Sequence, residues 1–152
     1  MKMMEATVSQ VKEKLGIPKN YRVFFCTAAT ECWEIISQSY APLPSLHVYN
    51  GAFGEKWWLS RNRLHPHAVG QSFSFQRMLG YQQLDFPFQR GLLCLTHNET
   101  SNGTQVRNRL IGKLKKRFPQ ALVCVDATSS MAGVELDWQS GDIWFACPRG
   151  WP

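Results

Sequence analysis

The sequence has 152 residues, of which 44% are hydrophobic and 12% aromatic, so it can bury one core and is not typical of a disordered chain. Its net charge of +6 permits a nucleic-acid partner. No apolar run reaches the length of a membrane span, and the first ten residues lack the apolar region of a secretion signal. We therefore expect a cytoplasmic protein without a membrane partner, made of one domain or a piece of one.

The first predicted elements are a helix, a strand and a second helix. Apolar residues recur at helical spacing in residues 5–15, RVFFC at 22–26 predicts a strand, and residues 31–36 predict a helix. A helix that begins directly after a strand presents unpaired backbone N–H groups, which can hold a phosphate. The alternative is an ordinary helix cap formed by Thr27 or Thr30.

The next segment predicts a short strand and a third helix. Residues 46–49 are apolar or aromatic and lead into Asn-Gly, after which a helix is expected to begin near Glu55. Phe53, Trp57 and Trp58 are all large enough to serve as core residues. Residues 65–89 predict no element.

The pattern from residue 92 onwards predicts a βαβ unit. Residues 92–96 and 121–125 are apolar runs of the kind found in strands buried on both faces. Between them, apolar residues recur every four positions from 106 to 118, which predicts a crossover helix. Since parallel strands end at one edge of a sheet, Thr100 and Asp126 should face one site. Residues 142–146 predict a further strand.

Cysteines, histidines and basic residues give no separate site. The five cysteines show no metal-binding spacing, and Cys26, Cys94 and Cys124 lie in strand-like runs, which predicts buried reduced thiols. His65 and His67 lack acidic or thiol neighbours, so no metal site is expected. The basic cluster at 113–117 falls in the last turns of a predicted helix, where cations complement the helix dipole. We therefore expect no nucleic-acid partner.

Five motifs, in order along the chain, resemble those of the class V pyridoxal-phosphate aminotransferases, most closely the phosphoserine aminotransferase-like members, which act in serine biosynthesis. They are AATE at 28–31, NGAFG at 50–54, THNETSNG at 96–103, VDATSS at 125–130 and GDIWFA at 141–146. The resemblance implies an α/β fold: residues 1–152 would form the N-terminal part of the three-layer, parallel-sheet large domain of fold type I. The small C-terminal domain would be absent.

The resemblance also implies a role for each site residue. The backbone amides of Ala29 and Thr30 would hold the cofactor phosphate, and Phe53 would stack on the pyridine ring. Thr100 would form a hydrogen bond with the phenolic oxygen of the ring. Asp126 would pair with the pyridinium nitrogen.

One family residue has no counterpart. The resemblance implies a Gln-Lys pair shortly after the last strand, whose lysine forms the Schiff base, but Arg149 and Gly150 stand at these positions and the last lysine is Lys116. We therefore expect no catalytic residue, no covalent attachment of pyridoxal phosphate, and no amino-group transfer between an amino acid and a 2-oxo acid by this chain. The alternative is a non-catalytic protein that binds a phosphorylated small molecule or a partner. Members of the family form homodimers, and self-association of this chain is expected.

Overall fold

A five-stranded parallel sheet organises residues 2–74 and 84–147, which this computed structural model describes. In chain order the elements are α1 (Lys2–Leu15), α2 (Ala29–Ser39), β1 (Ser45–Tyr49), α3 (Ala52–Leu64), β2 (Ala68–Ser72), β3 (Gly91–Thr96), β4 (Asn98–Glu99), β5 (Thr104–Gln105), α4 (Asn108–Arg117), β6 (Ala121–Asp126), a 3₁₀ helix (Trp138–Ser140) and β7 (Ile143–Phe145). The strand order is β2-β1-β3-β6-β7, and β4 and β5 form a separate antiparallel hairpin.

Helices cover both faces of the sheet. On one face, Ile111 and Leu114 of α4 pack against the central strands. On the other, Trp33 of α2 and Trp57 of α3 pack against Cys94 of β3. Every residue of β3 is buried because the strand is covered on both sides. The predicted three-layer α/β fold is therefore confirmed.

The predicted helices and most of the predicted strands are present. Strands β1, β3, β6 and β7 match their predicted runs, and α1, α2, α3 and α4 lie in the predicted places. The polar connection before β7 contains the short 3₁₀ helix, where the indole N–H of Trp138 donates to the carbonyl of Leu15 at 3.0 Å. This bond attaches the end of α1 to the region before β7.

The prediction of a strand at residues 22–26 is wrong. Those residues form no strand, and the side chains of Phe24 and Phe25 are 78% and 54% exposed. Strand propensity describes residues that fit a half-buried pleated surface, and this segment lies outside the sheet. For the same reason Cys26 is exposed, which corrects the prediction of a buried thiol; Cys94 and Cys124 are buried and free as predicted.

Strand β2 was not predicted from the sequence. It pairs with β1 at the edge of the sheet, where its sequence AVGQS shows neither an apolar run nor a regular alternation. Gly70 is needed because the Trp58 indole covers it: a Cβ there would lie 2.5 Å from the ring. The remainder of the segment that predicted no element includes residues 75–83, which lie outside the described residues.

One lysine near the basic end of α4 forms a salt bridge within the fold. Lys115 forms a salt bridge of 2.7 Å with Asp142, whose other carboxylate oxygen accepts the Val123 N–H at 2.9 Å. This arrangement ties α4 to the start of β7.

Within residues 2–74 and 84–147, no helix is both long enough and apolar enough to cross a membrane.

Candidate functional site

The carboxyl ends of β1, β3 and β6 meet at one edge of the sheet. Strand β1 leads through Gly51 into α3, which begins with the turn that contains Phe53. Strand β3 leads into the β4–β5 hairpin, in which Thr100 lies in the turn. Thr96 at the end of β3 is the register partner of Asp126 at the end of β6. Phe53, Thr100 and Asp126 therefore lie at or just after the ends of three adjacent strands, at the same edge of the sheet. That Thr100 and Asp126 face one ligand stays a prediction.

Asp126 is a buried carboxylate that no cation contacts within the described residues. Its side chain is only 5% exposed, and Oδ1 accepts the backbone N–H of Thr128 at 2.9 Å. Burial raises the pKa of Asp126, although hydrogen bonding from Thr128 acts in the opposite direction. A positively charged group placed beside this carboxylate would offset its loss of hydration.

Helix α2 begins with open backbone N–H groups. Its N-cap is Ala28, which forms no side-chain cap, so neither Thr27 nor Thr30 is the capping residue. The first backbone bond of the helix runs from the Cys32 N–H to the Ala28 carbonyl at 3.4 Å. The N–H groups of Ala29 and Thr30 therefore have no acceptor within the helix and point out of its positive end.

Glu31 places a negative charge in the first turn of α2. Its Oε2 accepts both the hydroxyl and the backbone N–H of Thr27, each at 2.6 Å. These hydrogen bonds, the hydroxyl first, lower the pKa of Glu31, which keeps the carboxylate ionised. Sequence reasoning missed this residue, although glutamate at the third position of a helix is a common N-terminal signal.

Phe53 and Thr100 are accessible side chains. The Phe53 ring is 44% exposed, which is unusual for a residue expected to serve as core, and the Lys56 ammonium lies 5.8 Å from its centroid. Thr100 is exposed in the turn after β4. Both are therefore available to a ligand at this edge of the sheet.

Helix α3 differs from α2 because its N-terminal amides are already occupied. Glu99 Oε2 accepts the Gly54 N–H at 3.0 Å, and Oε1 accepts the Phe53 N–H at 3.4 Å. The hydroxyl of Ser101 accepts the Ala52 N–H at 2.9 Å. An anion would therefore find open amides at the start of α2 and not at the start of α3. Glu99 and Ser101 both lie in the THNETSNG motif, but sequence reasoning assigned a role to neither of them.

The predicted loop histidines lie elsewhere. His65 and His67 line a cavity of about 240 Å³ with Pro44 and Ser45, at the other end of β1 from the candidate site. Across the described ranges, no group of three or more His, Cys, Asp or Glu side chains is arranged to hold a metal ion.

Comparison with solved structures places this fold among the aminotransferases. A phosphoserine aminotransferase from Cytophaga hutchinsonii is 30% identical, with a TM-score of 0.87 over 95% of this chain and 40% of its own. A pyridoxamine–pyruvate aminotransferase from Mesorhizobium loti (19% identity, TM-score 0.77, 95% and 38%) shares the fold. So does an alanine–glyoxylate aminotransferase from Nostoc sp. (18% identity, TM-score 0.74, 97% and 42%).

The chain thus spans about two fifths of the length of these structures. No protein-family model matches the sequence, and no curated protein does. The similarity of this chain to known proteins therefore rests on the solved structures.

Proposed function

We propose that this chain forms the cofactor-binding part of an aminotransferase, because it shares the fold of these enzymes and is 30% identical, across 95% of its length, to a phosphoserine aminotransferase. The observation that carries this proposal is that the first turns of α2, with open amides at Ala29 and Thr30, lie near the buried carboxylate of Asp126. Burial raises the pKa of Asp126, and the Trp33 side chain of α2 opposes this shift; burial also raises the pKa of Cys32 on the same helix, with a smaller contribution from Asp126. The open amides suit a phosphate, and the carboxylate suits a cationic ring nitrogen.

The residues present fit pyridoxal phosphate. The N–H groups of Ala29 and Thr30 would bind its phosphate, and the exposed face of Phe53 would cover its ring. Asp126 would hold a proton on the ring nitrogen, because a buried carboxylate is stabilised by an adjacent positive charge. Thr100 would donate or accept a hydrogen bond at the phenolic oxygen. When bound, the cofactor supplies an electron-accepting ring for amino-group transfer between an amino acid and a 2-oxo acid.

The chain of 152 residues should bind pyridoxal phosphate without a covalent bond. No lysine follows Lys116, which lies on α4, whereas the lysine used by the family is expected after β7. Borohydride treatment of the chain with the cofactor, followed by peptide mass mapping, should therefore label no single residue. Stoichiometric labelling of one lysine would contradict this expectation. Equilibrium dialysis without borohydride should still detect binding, and its absence would overturn the proposed function.

Glu31→Gln should strengthen phosphate binding. The carboxylate lies at the start of α2, so it repels an incoming phosphate and competes for the positive helix end. Removing its charge should raise the affinity for pyridoxal phosphate by about three- to tenfold at low salt. Isothermal titration calorimetry measures this change.

The matched control is Glu34→Gln, which removes an exposed carboxylate further along the same helix. This substitution should leave the affinity unchanged. Pyridoxal, which lacks the phosphate, should bind wild type and Glu31→Gln equally. An unchanged or weaker affinity of Glu31→Gln for pyridoxal phosphate would show that Glu31 does not compete at the anion site.

A further inference from the structure

Glu99 joins two loops that come from different strands. Its side chain is 2% exposed and belongs to the short strand β4 that follows β3, yet it accepts the N–H groups of Phe53 and Gly54 at the start of α3. The hydroxyl of Ser101 donates to Glu99 Oε1 at 2.6 Å and accepts from Ala52. The first three amides of α3 are therefore bound by side chains from the neighbouring loop.

Helix α3 is capped by side chains from a distant segment and not by its own N-cap residue. An aspartate or serine at position 51 could cap α3 locally, but that position is Gly51, which forms no side-chain cap. A Cβ at Gly51 would lie 2.6 Å from both Glu99 Cδ and Ser101 Oγ, so the glycine leaves space for the incoming carboxylate. A buried carboxylate is unfavourable unless it is fully hydrogen-bonded, and here four donors surround it: the N–H groups of Phe53, Gly54 and Ser101 and the Ser101 hydroxyl.

The bonds fix the residues predicted to touch the cofactor ring. Phe53 is held directly through its backbone N–H, and Thr100 is the neighbour of Glu99 in the chain. The Phe53 ring is 44% exposed, so core packing alone does not determine its position. The Ala29 and Thr30 amides lie on α2 and make no bond with Glu99 in the described structure.

We infer that Glu99 is a positioning residue that sets Phe53 and Thr100 for contact with the ring of a phosphorylated pyridine, and that it contributes little to phosphate binding. The inference rests on the proposed function. Loss of the Glu99 charge should therefore weaken the contribution of the ring to the affinity and leave the contribution of the phosphate nearly unchanged. A residue that only stabilised the fold would weaken both parts together.

The test compares two ligands on the intact chain. Pyridoxal phosphate carries ring and phosphate, whereas glycerol 3-phosphate carries the phosphate alone. Glu99→Gln keeps the size of the side chain but turns an amide group toward N–H donors. Its affinity for pyridoxal phosphate should fall about tenfold, as for loss of a hydrogen bond to a charged group, while that for glycerol 3-phosphate should change less than about twofold.

A second variant and a control complete the test. Ser101→Ala removes the hydroxyl that bridges Ala52 and Glu99, so it should lower only the pyridoxal phosphate affinity, by about threefold. Glu55→Gln removes an exposed carboxylate from the first turn of α3 and should alter neither affinity.

The possible results separate the inference from the proposed function. Equal losses for both ligands, or no loss for pyridoxal phosphate, in folded Glu99→Gln and Ser101→Ala would overturn the positioning role and leave the proposed function standing. If the wild-type chain binds pyridoxal phosphate no more tightly than glycerol 3-phosphate, the ring contact is absent, and both proposals fail.

Discussion

Asp126→Asn is expected to weaken cofactor binding and to stabilise the fold. Binding of pyridoxal phosphate should fall about tenfold or more, because the variant loses the charge-assisted partner of the ring nitrogen. Stability at neutral pH should rise, because burial raises the pKa of Asp126 and so disfavours its ionised form in the folded chain. Opposite effects on binding and on stability are typical of a residue kept for function.

The pH dependence of stability gives the sign of the change in stability that Asp126→Asn should cause. The folded chain holds the Asp126 proton more tightly than the unfolded chain, so stability falls as pH rises from the ordinary aspartate pKa through the raised one. The Asp126→Asn variant lacks this penalty, so its difference from wild type in urea midpoint should be largest at pH 7 and should vanish near pH 3. Asp85→Asn, at an exposed site, is the control and should change neither the affinity for pyridoxal phosphate nor the urea midpoint. A loss of stability at pH 7 would mean that Asp126 is a structural residue.

His47→Leu is expected to give the largest gain in stability. His47 is 2% exposed, and within the described residues neither of its ring nitrogens has a hydrogen-bond partner. The ring instead packs edge-on against Trp57, with centroids 5.2 Å apart. A buried polar group without a partner costs about 1–3 kcal/mol, so an apolar side chain of similar volume should raise the free energy of unfolding by about that amount at pH 7.

Acid should widen this difference. Burial, with a smaller contribution from the nearby Arg61 guanidinium, lowers the pKa of His47 from 6.5 to about 3. The unfolded chain therefore binds a proton that the folded chain excludes, and wild-type stability is lost as pH falls from 6.5 toward 3. The loss approaches about 1.4 kcal/mol per pH unit from this group alone, and His47→Leu should remove it.

Chemical denaturation at pH 7, 6 and 5 measures the effect. Exposed His67→Leu serves as the control and should leave the pH dependence of wild type intact. Parallel pH curves for wild type and His47→Leu would show that His47 is protonated to the same extent in both states, or that it has a partner.

The centre of the sheet could be predicted because its strands are covered on both faces. An apolar run such as that of β3 or β6 has few other stable positions, and Asp126 is the first charged residue after one of them. The crossover helix between them follows from the four-residue spacing that ends at Leu114 and Phe118. Parallel connection then places Thr100 and Asp126 at one edge.

The peripheral strands could not be predicted in the same way. Residues 22–26 have strand composition without a sheet partner, while β2 has a partner without strand composition. In both cases the decisive quantity is the hydrogen-bonding edge of another strand, which composition does not describe.

The charged residues of the candidate site were missed for a related reason. Glu31 and Glu99 lie in polar segments where a carboxylate is ordinarily expected to face water. Their importance depends on which backbone N–H groups the folded chain brings to them: Thr27 in one case, and Phe53 with Gly54 in the other. A sequence shows which acceptors are available, but the donors of α3 reach Glu99 only when β1 and β3 are paired.

The all-parallel sheet has a consequence for how the chain folds. Each strand pairs with a remote part of the sequence, as Ser45 does with both Ala68 and Leu92, and the described strands of this sheet form no hairpin that could fold first. Loop-closure entropy therefore opposes every pairing step, and the sheet assembles slowly compared with local helices such as α4. During that interval the apolar faces of β3 and β6 are open to other chains. We therefore expect the yield of native protein to fall as the chain concentration rises during refolding.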